Sequence, residues 1–542
     1  MSTPDYLEDY DRLCRRIEEE PLPQSVGALC EWAARSFGDR RALVFFEDDE
    51  ALSYAELDRY ANRLAASLLR MGAGKRTHVG VMLPNIPALP IAWIALAKLG
   101  AVMVPINIGY TARELAYVLA DADVEFLVLD ETCLEVLDAL EEGSPAPADE
   151  RTIVVGEPGR PGRRRWQELC AGGDDAFTPP EPVTGDDLLN IQYTSGTTGF
   201  PKGCMLPHRY WLILGKIAGM VDDPPIERIL IAQPFFYMDP QWLLLMAAYR
   251  GGTAYVARRA SASRFMQWIR DHRIQYCLFP EVVCKEPASD LDREHELRRV
   301  STFGLRPDLH RALEERFGVV AREAYGMTEV GCALLMPVEA EDMVGSGSCG
   351  RPAPFRKCMV ADDEGRPVPA GRTGELWVAG DGILRGYYNK PEANARAFSG
   401  EWFKTGDLFR RDDRGFYYIV GRVKDMIRRS GENISAAEVE AVLRAMPEIA
   451  EAAVVAVPDD RRKEEVKAYV VLRPGIERTS LPPERIIAFC GERLARFKVP
   501  RYIEYRDSLP KTPSDKVAKE KLVAEKSDLR LGSFDRVDGT WR

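Results

Sequence analysis

The alternation of strand-like and helix-like apolar segments in the first third of this chain constrains its fold most strongly. Ser53 and Glu56 form a capping box at the start of an amphipathic helical pattern. Buried strands are predicted at residues 78–83 and 124–129, with an alanine-rich helix at 114–119 between them. Strands that alternate with helices imply parallel sheets with helices packed on their faces. We therefore expect an α/β domain of layered sheets.

The length of 542 residues predicts more than one domain, since single cores stop growing near ~250–300 residues. A second capping box, Ser435 with Glu438, opens a series of short helices and strands that is typical of a small α+β unit. We predict a large N-terminal α/β domain at residues 1–423 and a small, mobile α+β C-terminal domain at 424–542. Residues 141–187 are rich in Gly, Pro and charge and are predicted to cross the surface, with the basic run at 160–165 solvated.

Charge and cysteine usage narrow the class of protein. A net charge of −11 argues against a nucleic-acid partner. The eleven cysteines include no C-x-x-C pair, which predicts neither a zinc site nor a disulfide framework and fits a reducing cytoplasm. The acidic N-terminus is not expected to act as a signal peptide, and the most apolar window, 91–106, is predicted to be too broken to span a membrane. We expect a cytoplasmic enzyme or binding protein.

The segment from Tyr193 to Gly203 has the composition of a phosphate-binding loop. Its glycines let backbone N–H groups approach an anion, its hydroxyls add donors and Lys202 adds a positive charge. It is not a P-loop, because Lys202 lies three residues beyond Gly199 and no Ser or Thr follows the lysine. A polar surface turn is the alternative. The candidate ligands of phosphate oxygens are Thr194, Ser195, Gly196, Thr197, Thr198, Gly199 and Lys202.

This loop resembles, almost residue for residue, the phosphate loop of the adenylate-forming superfamily. That superfamily includes acyl-CoA synthetases, peptide-synthetase adenylation domains and beetle luciferases. The resemblance covers essentially the whole chain, with motifs in the family's order from Leu52 to Lys516. It implies that the protein adenylates a carboxylic acid with MgATP, releases pyrophosphate and passes the acyl group to a thiol.

The resemblance also assigns roles within Tyr325-Gly-Met-Thr-Glu329 and at two later positions. Tyr325 would stack on the adenine, Thr328 would contact the α-phosphate and Glu329 would hold Mg²⁺. Gly326 would also belong to the ATP/AMP site. An aromatic face, a hydroxyl and a carboxylate suit these three ligands, although five such residues alone are more often a turn. Asp407 would accept hydrogen bonds from the ribose, with Arg422 as its partner there; a turn cap is the alternative for Asp407.

In related enzymes, the small domain rotates between the two half-reactions. Lys424 occupies the hinge position of the family. The segment Ser430-Gly-Glu432 resembles the segment that lines the pantetheine tunnel, which implies coenzyme A binding by Ser430, Gly431 and Glu432. An ordinary loop glycine is the alternative for Gly431.

Related enzymes end with a motif whose lysine bridges the substrate carboxylate and the α-phosphate, and the similar segment Leu509–Lys516 implies this role for Lys516. Its neighbour Asp515 stands where the family usually has glycine, which reduces the backbone freedom of the loop. Lys511 is a rival with a poorer match to the motif. The predicted catalytic residues are Lys516, Thr328 and Glu329.

The acid itself is left open by the sequence. Tyr237 stands where peptide-synthetase domains usually place an aspartate, which argues against an α-amino acid substrate. Tyr237, Met238 and Gly304 are predicted to line the acyl pocket. The segment 235–258 resembles the crotonobetaine/carnitine–CoA ligase branch most. Asp239 could attract a quaternary ammonium group, but a cap on the following helix is favoured.

We therefore predict an AMP-forming acid–thiol ligase, with ATP and Mg²⁺ required and coenzyme A as co-substrate. The acid could be fatty, aromatic or carnitine-like, and a homodimer is left open. The alternatives are an enzyme that loads a carrier protein and a non-catalytic ATP-binding homologue. The presence of the full set of predicted ATP-site residues argues against the non-catalytic alternative: Lys202, Glu329, Asp407, Arg422 and Lys516.

Overall fold

A computed structural model describes residues 5–172, 174–194, 201–429, 432–511 and 516–542, and all structural statements concern these residues. The chain forms two compact units. The first comprises Met1–Cys358 and Val378–Phe403, and the second comprises Met359–Trp377 and Lys404–Arg542. The division of the chain at residues 423 and 424 stays a prediction, as does motion at that point.

Some helices of the first unit begin at a residue whose side chain caps them, as at Val26–Phe37, Tyr54–Arg70 and Ala112–Asp121. Ser53 accepts a hydrogen bond from the Glu56 backbone N–H while the Glu56 carboxylate accepts from the Ser53 N–H, which confirms the predicted capping box. A second capping box of this unit, Thr111 with Glu114, was not predicted. The α-helices are Asp5–Glu19, Val26–Phe37, Tyr54–Arg70, Ala88–Leu99, Ala112–Asp121, Leu134–Asp138, Trp166–Ala171, His208–Met220, Met238–Arg250, Ala262–Asp271, Pro307–Phe317 and Pro391–Ala397.

The first sheet is parallel apart from one antiparallel hairpin at its edge, as the alternating pattern predicted. The hairpin places the predicted phosphate loop at the end of a buried strand. In spatial order the strands are Arg164–Arg165, Thr152–Val155, Phe126–Asp130, His78–Met82, Val102–Pro105, Leu188–Thr194 and Lys202–Pro207.

A second sheet of the first unit has a parallel centre with antiparallel hairpins at both ends. Its central strands end beside the predicted Tyr325–Glu329 motif. In spatial order they are Ser348–Pro352, Gly331–Leu335, Val320–Met327, Arg299–Thr302, Tyr276–Leu278, Arg228–Ile231, Thr253–Val256, Arg41–Phe45 and Glu50–Ser53.

The predicted surface crossing at residues 141–187 is wrong in part. The strand Thr152–Val155 lies within it and pairs with Phe126–Asp130 in the first sheet. The Arg163 guanidinium is buried and contacts the carboxylates of Asp138 and Asp149, so the basic run is not wholly solvated. The positive charge of Arg163 is paired with these two carboxylates, which explains how an arginine in a Gly- and Pro-rich segment can be buried.

The second unit has the predicted α+β character. Its main sheet contains, in spatial order, Glu432–Ser435, Met426–Arg429, Lys463–Leu472, Tyr502–Arg506, Phe534–Asp535 and Thr540–Trp541, and Ile449–Asp459 also pairs with Lys463–Leu472. Its helices are Ala436–Arg444, Pro483–Arg493 and Lys519–Ala524. The Ser435 hydroxyl accepts from the Glu438 N–H, which confirms one half of the predicted capping box, whereas the Glu438 carboxylate accepts from the Lys498 ammonium. Tyr417–Arg422 is a further strand of this unit and Phe398–Ser399 one of the first unit, while three strands include residues of both units: Arg356–Ala361, Thr373–Gly380 and Trp402–Arg411.

The apolar window at residues 91–106 divides into a helix and a strand. The helix Ala88–Leu99 is buried along its whole length, and the strand Val102–Pro105 follows it. Within the described parts of the chain, every helix is too short or too polar to cross a membrane.

Candidate active site

The phosphate-loop hairpin presents two of the predicted ligands side by side. Thr194 lies opposite Lys202 in the antiparallel pairing of the strands Leu188–Thr194 and Lys202–Pro207. The Thr194 hydroxyl donates to the Lys202 carbonyl at 3.5 Å. The other predicted phosphate ligands, Ser195, Gly196, Thr197, Thr198 and Gly199, lie outside the described residues. The hairpin therefore places a hydroxyl and an ammonium group where the loop begins and ends.

Tyr387 contacts both Lys202 and Glu329, and it lies outside the motifs predicted from the sequence. The Lys202 ammonium lies 4.0 Å from the centre of the Tyr387 ring, in a cation–π contact. The Tyr387 hydroxyl donates to the Glu329 carboxylate at 2.9 Å. Glu329 is only 6% exposed. A buried carboxylate and a lysine thus share one aromatic residue.

The segment that carries Tyr387 is held against the phosphate-loop hairpin by backbone contacts. The Met205 N–H donates to the Gly386 carbonyl at 2.9 Å, and the Tyr388 N–H donates to the Gly203 carbonyl at 2.9 Å. Burial, followed by the negative charge of Glu329, raises the pKa of Tyr387. The phenol consequently stays protonated and keeps donating to the carboxylate. In the sequence, Tyr387 is marked only by its place in the run Gly386-Tyr387-Tyr388.

The predicted Tyr325–Glu329 motif lies at the end of a strand and at the edge of a cavity. The strand Val320–Met327 pairs with Gly331–Leu335, and a Cβ on Gly326 would lie 2.5 Å from the Gly331 carbonyl oxygen. Glycine is therefore required for this tight hairpin. Tyr325 is buried, and its hydroxyl contacts the Met327 sulfur at 3.7 Å. Thr328 lines the cavity and precedes Glu329 directly.

The predicted ribose site in the second unit contains an ion pair. Asp407 and Arg422 face each other across the antiparallel strands Trp402–Arg411 and Tyr417–Arg422. The Arg422 Nε lies 3.0 Å from the Asp407 carboxylate, and the aspartate is buried while the arginine is partly exposed. The arginine thus orients the carboxylate that was predicted to bind the ribose.

The predicted hinge is tied to the C-terminal helix of the second unit. Lys424 lies in the 3₁₀ turn Val423–Asp425, and its Nζ is 3.7 Å from the Glu520 carboxylate. Lys519 contacts Asp425 at 3.8 Å. Burial lowers the pKa of Lys424. These contacts join the turn to the helix Lys519–Ala524, and the hinge role itself stays a prediction.

The structure describes only part of the predicted coenzyme A segment, Ser430–Glu432, and of the segment that ends at Lys516. Ser430 and Gly431 lie outside the described residues, and Glu432 begins the strand Glu432–Ser435. Lys516 is exposed and directly follows the undescribed residues 512–515, which include Asp515. The rival Lys511 forms an ion pair with Glu451. Their roles therefore stay predictions.

A cavity of about 400 Å³ opens beside Thr328 in the first unit. Tyr237 and Met238 line the cavity as predicted. Among the described residues, Gly304 is not part of the cavity wall, so its predicted position in the acyl pocket is wrong. Phe303 occupies the wall instead, and the Gly304 N–H donates to the buried carboxylate of Glu323. Most of the wall is apolar, including Leu214, Ile217, Ala218, Val221, Trp242, Ala324, Met327, Cys332 and Leu335.

Asp239 lines the same cavity and does not cap the following helix as favoured from the sequence. The N-cap of the helix Met238–Arg250 is Tyr237, and no side chain caps it. The Asp239 carboxylate instead accepts a hydrogen bond from the Trp242 indole N–H at 3.1 Å. Burial raises the pKa of Asp239, against the effect of that hydrogen bond. The cavity thus contains a carboxylate beside an aromatic ring.

Known proteins resemble this chain along nearly its whole length. A family model described as AMP-binding enzyme matches residues 30–388, and one described as AMP-binding enzyme C-terminal domain matches residues 438–516. A crotonobetaine/carnitine–CoA ligase of Salmonella paratyphi A is 32% identical over 520 residues, covering 92% of this chain and 99% of that relative.

Two solved structures extend the comparison to the fold. An anthranilate CoA ligase in complex with anthranoyl-AMP has a TM-score of 0.82 and 25% identity, covering 94% of this chain and 98% of that one. An O-succinylbenzoate coenzyme A synthetase from Bacillus subtilis, in complex with ATP and a magnesium ion, has a TM-score of 0.76 and 25% identity, covering 91% and 98%. The architecture is therefore shared.

Proposed function

Because this chain belongs to the AMP-binding enzyme family, we infer that it is an ATP-dependent acid–CoA ligase of the AMP-forming type. It adenylates a carboxylic acid with release of pyrophosphate and then transfers the acyl group to coenzyme A. The observation that carries this inference is the contact of Tyr387 with both Lys202 and Glu329 beside the cavity edge at Thr328. Lys202, which can bind phosphate, and Glu329, which can bind a hard metal ion, are thereby held near a cavity that could contain the acid.

Glu329 fits a magnesium ligand because it is a buried carboxylate held in place by the Tyr387 hydroxyl. The described residues include no group of three His, Cys, Asp or Glu side chains that could hold a metal ion. The other ligands would be water and ATP phosphates, as is usual for Mg²⁺. When bound, Mg²⁺ would neutralise charge on the phosphate oxygens.

The side chains of this protein act in the first step by alignment and charge compensation. The substrate carboxylate oxygen forms a bond to the α-phosphorus as the bond to pyrophosphate breaks. Lys202 balances charge on the departing pyrophosphate, Thr328 donates to an α-phosphate oxygen, and Lys516 holds the carboxylate against the phosphorus. Asp407, oriented by Arg422, accepts from the ribose hydroxyls.

The second step is attack of the thiol sulfur on the acyl carbon, with AMP as the leaving group. In this proposal the small domain turns at Lys424, withdraws Lys516 and brings Ser430, Gly431 and Glu432 to the thiol. A cytoplasmic location agrees with the eleven cysteines, all of which are free. A homodimer stays a prediction.

The reaction is tested by measuring pyrophosphate release with a panel of carboxylic acids, with and without coenzyme A. We expect acid-dependent pyrophosphate release and, with coenzyme A, an acyl-CoA product and AMP. Acid-dependent pyrophosphate without a CoA thioester would favour the carrier-protein alternative. ATP binding with no pyrophosphate for any acid would favour the non-catalytic homologue.

We propose that the acid has an aliphatic or aromatic body, because the cavity wall is mainly apolar. A second candidate is an acid that carries a quaternary ammonium group. Asp239 favours it, since this carboxylate lies in the cavity wall beside the aromatic ring of Trp242. The name of the Salmonella relative points the same way.

Asp239→Asn separates these two candidates. If the acid is cationic, the variant is expected to lower kcat/KM for trimethylammonium acids by about 10–100-fold, because a charge pair in a desolvated site is lost. Neutral aliphatic and aromatic acids serve as the internal control and should react as before. A variant that leaves both classes unchanged would remove the cationic candidate.

Lys424→Pro tests the hinge. Proline fixes φ and removes freedom from the turn, so adenylation should continue while thioester formation falls by about 10–100-fold. The matched control is Lys424→Ala, which loses the contact with Glu520 but keeps backbone freedom. Both half-reactions are measured separately, as pyrophosphate release and as CoA thioester formed from supplied acyl-adenylate. Normal thioester formation by the proline variant would exclude a pivot at this residue.

A further inference from the structure

A buried ion pair adjoins the acid cavity, with its arginine in the cavity wall, and has no role in the reaction described above. Arg299 begins the central strand Arg299–Thr302, and its guanidinium contacts Asp222 through two parallel hydrogen bonds of 2.9 and 2.7 Å. The arginine is 4% exposed and the aspartate 9%. Two-point contact between buried charges fixes both side chains in one arrangement.

Neighbouring groups hold the arginine further. The third guanidinium nitrogen donates to the Ser301 hydroxyl at 3.1 Å, and the Tyr276 hydroxyl donates to the same oxygen at 2.8 Å. The guanidinium carbon lies 4.7 Å from the centre of the Tyr276 ring. Arg299, Ser301 and Tyr276 all line the acid cavity, so they form a polar patch in a mainly apolar wall.

A second cavity of about 310 Å³ lies on the other side of this ion pair. Arg299 and Val221 belong to the walls of both cavities, whereas Asp222 belongs to the wall of the second. The first helix of the chain closes the second cavity with Asp9, Tyr10, Leu13 and Arg16. The ion pair and Val221 are thus a partition between the acid cavity and a space under the N-terminal helix.

We propose that the Arg299–Asp222 ion pair is the floor of the acid pocket and sets the greatest length of acyl chain that the enzyme accepts. This proposal rests on the proposed function. An apolar chain end that reached the floor would have to displace paired, hydrogen-bonded charges, which is far more costly than contact with an apolar wall. Removal of the floor would join the two cavities and admit a longer chain.

The test is a chain-length profile, measured as kcat/KM for pyrophosphate release with saturated fatty acids from four to sixteen carbons. The double variant D222A/R299A removes both charges together, so that neither is left buried without its partner. We expect the preferred chain to lengthen, with a gain of about threefold for two further methylene groups that enter the second cavity, because charged side chains line much of that cavity and limit the apolar contact made there. Acids that are shorter than the wild-type limit should react much as before.

Two further variants complete the design. Arg16→Ala changes an exposed residue of the second cavity alone and leaves the partition intact, so its profile should match that of the wild type. Val221→Ala widens the partition without touching the ion pair, and a smaller shift toward longer acids is expected. It keeps the proposal testable if the double variant does not fold.

The outcomes separate this proposal from the proposed function. Wild-type protein that releases no pyrophosphate with any acid would overturn the function and the floor together. Wild-type activity with unchanged chain-length profiles in folded D222A/R299A and in Val221→Ala would overturn the floor alone. A shift in Arg16→Ala equal to that of the double variant would also refute it, since the partition is intact there.

Discussion

Lys516→Ala is expected to abolish acid-dependent pyrophosphate release while sparing thioester formation from supplied acyl-adenylate. In the proposed first step, two anionic groups, the substrate carboxylate and the α-phosphate, must come together. A lysine between them lowers the repulsion and stabilises the charge that develops in the transition state. Loss of one such group costs about 10²–10³-fold in rate. The second step proceeds with Lys516 withdrawn, so it should not need the ammonium group.

The matched control is Lys511→Ala, five positions earlier in the same segment. Lys511 forms an ion pair with Glu451 on the strand Ile449–Asp459, which gives it a structural partner within the second unit. Its removal should change neither half-reaction by more than a few-fold, because partly exposed ion pairs contribute little. Equal loss of both half-reactions in Lys516→Ala would refute the assignment. A loss of adenylation in Lys511→Ala alone would transfer the role to that residue.

Periodicity and caps in the sequence predicted the fold well because those signals are local. The Ser53–Glu56 capping box begins a helix as predicted, and the predicted small α+β unit contains short helices and strands. The strand Thr152–Val155 was missed because it is short and lies among Gly, Pro and charged residues. Its pairing with Phe126–Asp130, a long-range interaction, stabilises it.

The site was less predictable because its geometry depends on contacts between distant segments. Tyr387 lies 58 positions from Glu329, and an aromatic residue at this place in the sequence is compatible with an ordinary core position. In the cavity wall, Phe303 and the ion pair of Arg299 with Asp222 likewise follow from tertiary packing. A motif can indicate which residues bind the nucleotide, whereas the shape of the acid pocket depends on such packing.

Glu329→Gln is expected to lower kcat/KM for pyrophosphate release by about 10²–10³-fold and to raise the Mg²⁺ concentration that the reaction needs. Glutamine keeps the size of the side chain and can still accept from the Tyr387 hydroxyl. It lacks the negative charge that a hard cation requires. The rate is measured across a Mg²⁺ titration with saturating acid and ATP.

Tyr387→Phe provides the control that separates metal binding from positioning. It keeps the ring beneath the Lys202 ammonium and removes only the hydroxyl that donates to Glu329. Loss of a hydrogen bond to a charged group should reduce the rate by about 10–100-fold, with a smaller change in the Mg²⁺ requirement because the carboxylate remains. If Glu329→Gln has the Mg²⁺ dependence of the wild type, Glu329 is not the metal ligand. If Tyr387→Phe raises the Mg²⁺ requirement as much as Glu329→Gln does, the orientation of the carboxylate matters as much as its charge, because a misplaced ligand binds the ion no better than an absent one.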